Sequence, residues 1–381
     1  MPLTAARTVA PESAEEAADV LRLAAEAGER VRIRGGGTRS GWGNVTPPPD
    51  LVLSTAGLGR IVEHNEGDLT AVMEAGVTLR AAQEQVARAE QMLALDPPDA
   101  PEATVGGLFA TGDSGPLRHR YAAPRDLIVG VTVALADGTV AKAGGKVIKN
   151  VAGYDLGKLF TGAFGTLGLI VQVAVRLHPR PPQTVTARGV CDDAERLQRT
   201  AAALARRPLE AESLDVAWAS GRGAVLARFG GATARRGADA AAAILREHGC
   251  EADVVEDDGA LWQRQREQQR SASDVVVKVS ALPASLSRAV RAADALEGTL
   301  VGRAGLGLAW VTLPGGADAV RRLRAELAPA PCVVTDGPED VRAAVDPWQT
   351  DSAEPLALLR RLKEGFDPTG TCNPGLYVGG I

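Results

Sequence analysis

The sequence is short of aromatic residues and has no long hydrophobic run. Phe, Trp and Tyr make up only 3% of its 381 residues, so a hydrophobic core must be built mainly from Val, Leu, Ile and Ala. No apolar stretch reaches the ~20 residues that a membrane-spanning helix needs, and residues 1–10 contain no long apolar segment. The sequence therefore predicts a cytoplasmic protein without a secretion signal or a membrane span.

Cysteine and histidine are too few and too scattered to suggest a metal site. No C-x-x-C pair occurs, and no two histidines have the spacing of metal ligands. Local spacing therefore assembles neither an iron–sulfur cluster nor a zinc site, and we expect reduced thiols and no metal. These residues are Cys191, Cys250, Cys332, Cys372, His64, His119, His178 and His248.

A basic excess is also absent. The formal net charge is -5, whereas a surface that binds nucleic acid backbones usually shows an excess of Lys and Arg. The runs Arg118–Arg120 and Arg321–Arg324 are short and mixed, which is typical of solvated surface. We expect no nucleic acid partner.

Length, glycine content and the order of strand-like and helix-like segments divide the chain into three parts. A chain of 381 residues is expected to form two domains. The first part is glycine-rich and ends at a proline cluster, residues 179–182. Strand-like and helix-like segments then alternate over residues 183–345, which predicts an α+β domain of ferredoxin-like βαβ units. The last part, residues 350–381, returns to a helix followed by Asn-Pro-Gly at 373–375.

Local signals predict elements within the first part. Ser13 and Glu16 form a capping box for a helix that ends at Gly28. A second helix is predicted over residues 78–92. A β-branched run at 127–135, closed by an Asp-Gly turn, predicts a hairpin.

Three glycine-rich stretches point to a binding site. In the first, Arg-Gly-Gly-Gly-Thr at 34–38 follows a short strand, and successive N–H groups of such a loop can form a concavity for an anion. It is not a dinucleotide fingerprint, because Ser40 stands where the third glycine should be, and no Gly-Lys-Ser/Thr of a P-loop follows. Taken alone, a tight turn explains this loop equally well.

The other two stretches lie further along. Thr-Val-Gly-Gly stands at 104–107 with a second glycine pair at 112 and 115, and the third stretch covers residues 144–170. Any one of these stretches could simply be a turn. Three in a fixed order, with a closing Asn-Pro-Gly, are hard to explain as turns.

Together these motifs resemble the FAD-binding fold of the vanillyl-alcohol oxidase and p-cresol methylhydroxylase (PCMH) superfamily. Within it, the chain is similar to one of the FAD-binding subunits of bacterial glycolate oxidase (glycolate dehydrogenase). The matching motifs stand at 34–38, 104–107, 149–155, 165–170 and 366–375. The similarity is strong over the first ~180 residues and moderate over the last thirty or so, while the middle matches only in size and position.

The resemblance implies an α+β fold with three regions. Residues 1–180 would form a two-subdomain PCMH-type FAD-binding module. Residues 183–345 would form an α+β ferredoxin-like cap domain, and residues 350–381 a C-terminal segment that returns to the module and completes the FAD site.

The resemblance also implies which residues hold non-covalent FAD. The first loop would bind the pyrophosphate, the second stretch would line the flavin and ribityl chain, Ile170 would meet the adenine, and Asn373 would close the pocket near the isoalloxazine. For Asn373, a helix-ending turn before Pro374 is an equally good interpretation. The predicted cofactor-binding residues are Arg34, Gly35, Gly36, Gly37, Thr38, Arg39, Pro97, Thr104, Val105, Gly106, Gly107, Thr111, Gly112, Asp113, Ser114, Gly115, Asp126, Gly153, Tyr154, Gly168, Ile170 and Asn373.

The catalytic residues stay open. Tyr154 and Lys149 are polar residues in a segment that would line the flavin, so they could tune the ring or bind an acid. Supporting the loop is an equally good role for both. His119, between Arg118 and Arg120, is the one histidine worth testing.

By resemblance, the expected function is that of an FAD-containing subunit of a glycolate oxidase complex. It would take part in oxidising glycolate, a small 2-hydroxy acid, to glyoxylate. Electrons would pass to an iron–sulfur subunit, alongside a sister FAD subunit, with attachment to the inner membrane through these partners left open. Two alternatives remain: a non-catalytic electron-relay or assembly subunit, and a stand-alone FAD-dependent oxidoreductase on another 2-hydroxy acid or alcohol.

Two departures from the family's pattern matter. Many relatives with covalent flavin carry a histidine just after the glycines, where this chain has Thr38. Related hydroxy-acid dehydrogenases usually have Glu where this chain has Phe164.

Because Thr38 offers no imidazole for a covalent link, we expect FAD to be dissociable. Acid precipitation of the purified protein should release the yellow colour into the supernatant; flavin retained in the washed pellet would contradict this.

Overall fold

A computed structural model describes residues 6–98, 101–146, 154–350 and 353–381. The chain mixes helices and sheets throughout these ranges. Its strands are β1 (Arg7–Val9), β2 (Val31–Arg34), β3 (Leu51–Ser54), β4 (Ile61–Asn65), β5 (Thr70–Glu74), β6 (Gln91–Met92), β7 (Ile128–Ala134), β8 (Val140–Gly144), β9 (Leu169–Arg176), β10 (His178–Pro179), β11 (Thr184–Cys191), β12 (Ser213–Ala219), β13 (Arg222–Gly230), β14 (Glu251–Val255), β15 (Val275–Ser280), β16 (Thr299–Arg303), β17 (Leu308–Leu313) and β18 (Cys332–Asp336).

The helices alternate with these strands. They are α1 (Ala14–Glu26), α2 (Leu79–Ala87), α3 (Val105–Thr111), α4 (Arg118–Tyr121), α5 (Pro124–Leu127), α6 (Leu156–Phe160), α7 (Ala194–Ala205), α8 (Ala234–Glu247), α9 (Gly259–Glu267), α10 (Leu286–Asp294), α11 (Ala317–Leu327), α12 (Glu339–Ala344) and α13 (Ala353–Phe366). Across the described ranges, none of them has both the length and the apolar character of a membrane-crossing helix.

Capping chemistry sets the first two helices, with one difference from the sequence prediction. Ser13 accepts a hydrogen bond from the N–H of Glu16 at the start of α1, and Gly28, with φ of +67°, follows its end. Thr78 caps α2 in the same way, but α2 ends at Ala87 and not at residue 92. Glu90 then adopts a positive φ, and the chain turns into β6, so the predicted second helix was too long.

The described part of the first 180 residues contains a two-stranded sheet of β6 and β10 and two larger sheets that share a core. Strands β1, β3 and β2 form a parallel sheet, while β4, β5, β9, β7 and β8 form an antiparallel sheet in that order. Leu21 of α1, Leu53 of β3 and Val171 of β9 lie in one buried cluster, which joins the parallel sheet to the larger one. The β7–β8 hairpin forms where the Asp-Gly turn predicted it.

One eight-stranded antiparallel sheet contains every described strand from residue 184 onwards. Its order is β14-β11-β13-β12-β16-β17-β15-β18, and each half follows the chain order β-α-β-β-α-β. The halves meet where β12 pairs with β16. The change of sheet between β10 and β11 supports the division into 1–180, 183–345 and 350–381, which we keep as a proposal.

The C-terminal segment packs back onto β2. The N–H of Val31 donates to the carbonyl of Thr371, and the N–H of Asn373 donates to the carbonyl of Val31, each at 2.9 Å. Lys363 of α13 reinforces this return, because its Nζ donates to the buried carboxylate of Asp367 at 2.6 Å and to the carbonyl of Cys372 at 2.9 Å.

We expect Lys363→Met to lower the free energy of unfolding by about 2 to 4 kcal/mol, because it leaves the fully buried Asp367 carboxylate without its cation. Lys158→Met is the matched control, since Lys158 pairs with Asp155 at the surface and should contribute less than ~1 kcal/mol. Urea unfolding of both variants measures the difference, and equal losses would show that the Lys363 contacts do not hold the tail.

Candidate functional site

A cleft lies beside the carboxyl end of β2. Four segments line it: the glycine loop after β2, the first turns of α3, the turn that leads into β9, and the C-terminal segment. The lining residues are Arg32, Ile33, Arg34, Gly35, Gly36, Gly37, Thr38, Arg39, Ser40, Trp42, Thr55, Ala75, Thr104, Gly106, Gly107, Leu108, Ala110, Thr111, Phe164, Gly165, Gly168, Leu169, Ile170, Asn373 and Leu376.

The glycine loop presents unpaired backbone donors to this cleft. From Gly35 to Arg39, no backbone N–H donates a hydrogen bond to another described residue. The glycines are required by packing, because a Cβ at Gly36 would overlap the carbonyl oxygen of Glu102, and one at Gly35 would overlap the hydroxyl of Thr104. Successive free N–H groups in a loop of this kind suit an anion such as a diphosphate.

The charged side chains beside the glycine loop also favour an anion. The guanidinium of Arg34 makes no ion pair or hydrogen bond with another described residue, and that of Arg32 donates only to the hydroxyl of Thr46. Burial lowers the pKa of Arg32. None of the residues that line the cleft is acidic. Cations without an ion-pair partner among the described residues, next to free N–H groups, would favour an anion at this end of the cleft.

Arg39 lines the cleft but is already paired. Its Nη2 and Nε donate to Oδ2 of Asp113 at 2.6 and 2.9 Å, and both side chains are only 5% exposed. Asp113 in turn accepts a hydrogen bond from the N–H of Ser114. This buried ion pair fixes the glycine loop to the segment after α3, so Arg39 and Asp113 shape the site together.

Asn373 joins three segments at the opposite wall. Its Oδ1 accepts a hydrogen bond from the N–H of Ile33 at 2.8 Å, and its Nδ2 donates to the carbonyl of Phe164 at 2.7 Å. A Cβ at Gly165 would lie 2.7 Å from this Nδ2, so the turn can approach only as glycine. The side chain is thus a structural bridge at the cleft wall.

Four aromatic residues form what we call the aromatic wall: Trp42, Phe164, Trp348 and Tyr377. The Phe164 ring stacks on Tyr377 at 5.5 Å, meets the edge of Trp348 at 4.9 Å and lies 6.5 Å from Trp42. Trp42 and Phe164 line the cleft. Sequence reasoning noted Phe164 only as a departure and missed Trp42, although Trp42 ends the same glycine-rich loop.

A second group of charges lies on the face of the eight-stranded sheet that is turned toward the first 180 residues. Lys278 of β15 and Arg303 of β16 lie over the ring of Trp310 of β17, at 5.8 and 4.7 Å from its centroid. Nη1 of Arg303 donates to the buried Asp215 carboxylate at 2.8 Å, whereas Nε and Nη2 of Arg303 are buried without a partner. The ammonium of Lys278 makes no ion pair or hydrogen bond with a described residue.

The charged neighbours of Lys278 and Arg303 include residues of the FAD-binding module. Burial lowers the pKa of Lys278, and the charges of Arg118 and Arg303 lower it further while that of Asp113 raises it. Burial raises the pKa of Asp96 to about 7, against the opposing charge of Arg303. Asp96, Asp113 and Arg118 all belong to the first 180 residues, so the cations of the sheet face the module that carries the cleft.

The structure brings many of the predicted cofactor-binding residues together. Those that line the cleft are Arg34, Gly35, Gly36, Gly37, Thr38, Arg39, Thr104, Gly106, Gly107, Thr111, Gly168, Ile170 and Asn373. Those described but not lining it are Pro97, Val105, Gly112, Asp113, Ser114, Gly115, Asp126 and Tyr154. Gly153 lies outside the described residues, and the individual FAD contacts stay predictions.

The three candidate catalytic residues are not gathered at the cleft. Tyr154 is 92% exposed, and His119 lines a separate cavity with Arg120 and Phe229. Lys149 lies outside the described residues. Across the described ranges, no group of three or more His, Cys, Asp or Glu side chains could hold a metal ion.

Replacing Arg34 by Gln should weaken the binding of ADP, used as a diphosphate probe, by roughly tenfold, because a charge-assisted hydrogen bond is lost. Arg80→Gln is the control, since Arg80 is also exposed but lies away from the cleft. Isothermal titration calorimetry of both variants measures the effect, and an unchanged dissociation constant for Arg34→Gln would contradict the anion site.

Comparison with known proteins agrees with this geometry. Glycolate oxidase subunit GlcD of Bacillus subtilis is 31% identical over 192 residues, which are 50% of this chain and 41% of the relative. D-lactate dehydrogenase of Archaeoglobus fulgidus is 36% identical over 173 residues, 45% of this chain and 38% of the relative. Glycolate oxidase subunit GlcE of Escherichia coli is 35% identical over 129 residues, 34% of this chain and 37% of the relative.

The matches therefore span about two fifths of the length of these relatives. A solved structure of alkyldihydroxyacetonephosphate synthase shares the fold, with a TM-score of 0.72 and 16% identity over 98% of this chain and 76% of that one. Residues 5–144 match the family of FAD binding domains. This chain therefore carries an FAD binding domain, related to those of glycolate oxidase subunits and D-lactate dehydrogenases, and FAD is its cofactor.

Proposed function

We propose that this chain is the FAD-containing subunit of a glycolate oxidase (glycolate dehydrogenase) complex and takes part in oxidising glycolate to glyoxylate. The observation that carries the proposal is the pair of cations Lys278 and Arg303, which face the FAD-binding module and have unused hydrogen-bond donors. A 2-hydroxy acid needs such donors for its carboxylate. The relatives named after glycolate and D-lactate point to the same class of substrate.

The surroundings of the two cations suit a bound acid. Arg303 is fully buried, and a buried guanidinium with two idle donors is costly unless a ligand or water satisfies them. Asp215 forms an ion pair with Arg303, whereas Lys278 forms none with a described residue. The Trp310 ring stabilises both cations, which lie 5.8 and 4.7 Å from its centroid.

Bound FAD supplies the redox chemistry, because it takes two electrons from a donor and can release them one at a time. The chain's own contribution is to orient the acid and to exclude water. The four cysteines are all buried and free, and burial raises the pKa of Cys191 and Cys332 to about 11. An iron–sulfur group that receives the electrons is therefore assigned to a partner subunit, next to a sister FAD subunit.

A second candidate is an electron-relay or assembly subunit in which the sister subunit oxidises the acid. The observation that favours it is that none of Tyr154, His119 and the other described histidines lines the cleft, so no imidazole is placed there to accept the hydroxyl proton. A stand-alone FAD-dependent oxidoreductase on another 2-hydroxy acid or alcohol is the third candidate.

The deciding experiment is the visible spectrum of the FAD-loaded chain under anaerobic conditions, before and after glycolate or D-lactate. Flavin bands that bleach with the acid support oxidation by this chain. Bands that persist with every acid but bleach with dithionite support the relay or assembly subunit.

If Lys278 holds the carboxylate, Lys278→Gln should raise the acid concentration needed for half-maximal bleaching by roughly tenfold, because a charge-assisted contact is lost. Lys142→Gln is the control, since Lys142 is an exposed lysine of β8 and lies outside the sheet that carries Lys278 and Arg303. An acid dependence that is the same in both variants would remove Lys278 from the site.

A further inference from the structure

The aromatic wall is unusual in a chain this poor in aromatic residues. Four of the thirteen aromatic residues in the sequence meet at one edge of the cleft, whereas the buried cores are built mainly from Val, Leu and Ala. Aliphatic side chains could fill a packing role here, as they do elsewhere in this protein. The clustering therefore points to a partner that requires aromatic surfaces.

The backbone at Phe164 also points to a function. Phe164 adopts φ of +55°, a region that a bulky residue rarely occupies, and it is held there by two hydrogen bonds. Its N–H donates to the carbonyl of Ala110 at 2.8 Å, and its carbonyl accepts from Nδ2 of Asn373. Strain that the surroundings enforce at a cleft wall is a reason to look for a ligand at that residue.

The wall offers ring surfaces and little hydrogen bonding. Nε1 of Trp42 donates to Oδ1 of Asp336 at 3.0 Å, and Nε1 of Trp348 donates to the carbonyl of Leu376 at 3.2 Å. Arg270 also lies over the Trp42 ring, 5.2 Å from its centroid, and pairs with Asp336. Both indole N–H groups are thus used, and the orientation of Trp42 is fixed before any ligand arrives.

We propose that Trp42 and Phe164 are positioning residues that seat the isoalloxazine ring of FAD, with Trp348 and Tyr377 supporting them from behind. The inference rests on the proposed function only in its premise that the chain binds FAD, whose isoalloxazine is the ring to be seated. A planar heteroaromatic ring gains from stacked or edge-to-face contacts with such side chains at centroid distances of about 4.5 to 7 Å.

Of the two ring systems in FAD, the isoalloxazine fits this wall better. The dimethylbenzene part of the isoalloxazine is apolar and needs no hydrogen-bond partner. Adenine carries an amino group and ring nitrogens along its edge, and burying them against ring faces without partners is unfavourable. A wall whose indole N–H groups are already engaged therefore suits the flavin end.

The test uses the full-length chain loaded with FAD, and it measures the fluorescence of bound flavin and the dissociation constants of FAD and ADP. An indole in contact with the flavin quenches its emission. We expect Trp42→Leu to raise the emission of bound flavin several-fold and to raise the dissociation constant of FAD by roughly three- to tenfold, with that of ADP unchanged. Phe164→Leu should weaken the binding of FAD to a similar extent.

Two further variants separate ring contact from general damage. Trp42→Phe keeps an aromatic ring without an indole, so it should recover FAD affinity but not quenching. Trp218→Leu is the matched control, because Trp218 is buried to a similar degree and its Nε1 also donates to an aspartate, Asp294, but it lies in the eight-stranded sheet away from the cleft. It should leave emission and FAD affinity unchanged.

The inference is overturned if Trp42→Leu and Phe164→Leu bind FAD and quench flavin as the wild type does. It is also overturned if ADP affinity falls together with FAD affinity while quenching persists, because the wall would then seat the adenine. Neither result depends on substrate. An FAD-loaded chain that shows the expected quenching changes but never bleaches with a 2-hydroxy acid would instead contradict the proposed function alone.

Discussion

The side chain of Asn373 joins three distant parts of the chain, and the shape of the cleft depends on that junction. Through its two polar atoms it ties the strand before the glycine loop to the turn at Phe164. Its backbone pairs with Val31, and the Lys363–Asp367 ion pair holds the segment that presents it. The amide therefore sets the separation between the glycine loop and the aromatic wall.

The cleft has one end that favours an anion and another that favours an apolar ring, although the protein as a whole is acidic. The net charge is -5, yet Arg32 and Arg34 lie beside the glycine loop and the residues lining the cleft include no carboxylate side chain. Free N–H groups and Arg34 favour a diphosphate at one end, whereas Trp42 and Phe164 favour an apolar ring at another. A ligand that carries both a diphosphate and an apolar ring would suit this cleft, and FAD has both groups.

Local sequence signals predicted what local physics controls. The capping box before α1 and the Asp-Gly turn of the hairpin have backbone preferences strong enough to be recognised without tertiary contacts. The end of α2 was missed, since the positive φ of Glu90 follows from packing and not from its residue type. Trp42 was missed as a site residue for a similar reason, because nothing in a lone tryptophan says which cavity it will face.

The sequence by itself identified FAD, through the resemblance of its motifs to FAD-binding proteins, and singled out the glycine loop that lines the cleft. Glycines in a fixed order permit a close approach of backbone, and few other residues can replace them. Only the tertiary structure decided that Asn373 would bridge β2 and Phe164, that Arg39 would be paired with Asp113, and that Lys278 would lie near the ring of Trp310. These contacts join residues from 32 to more than 300 positions apart, and such pairings are selected by packing of whole sheets, which no local pattern records.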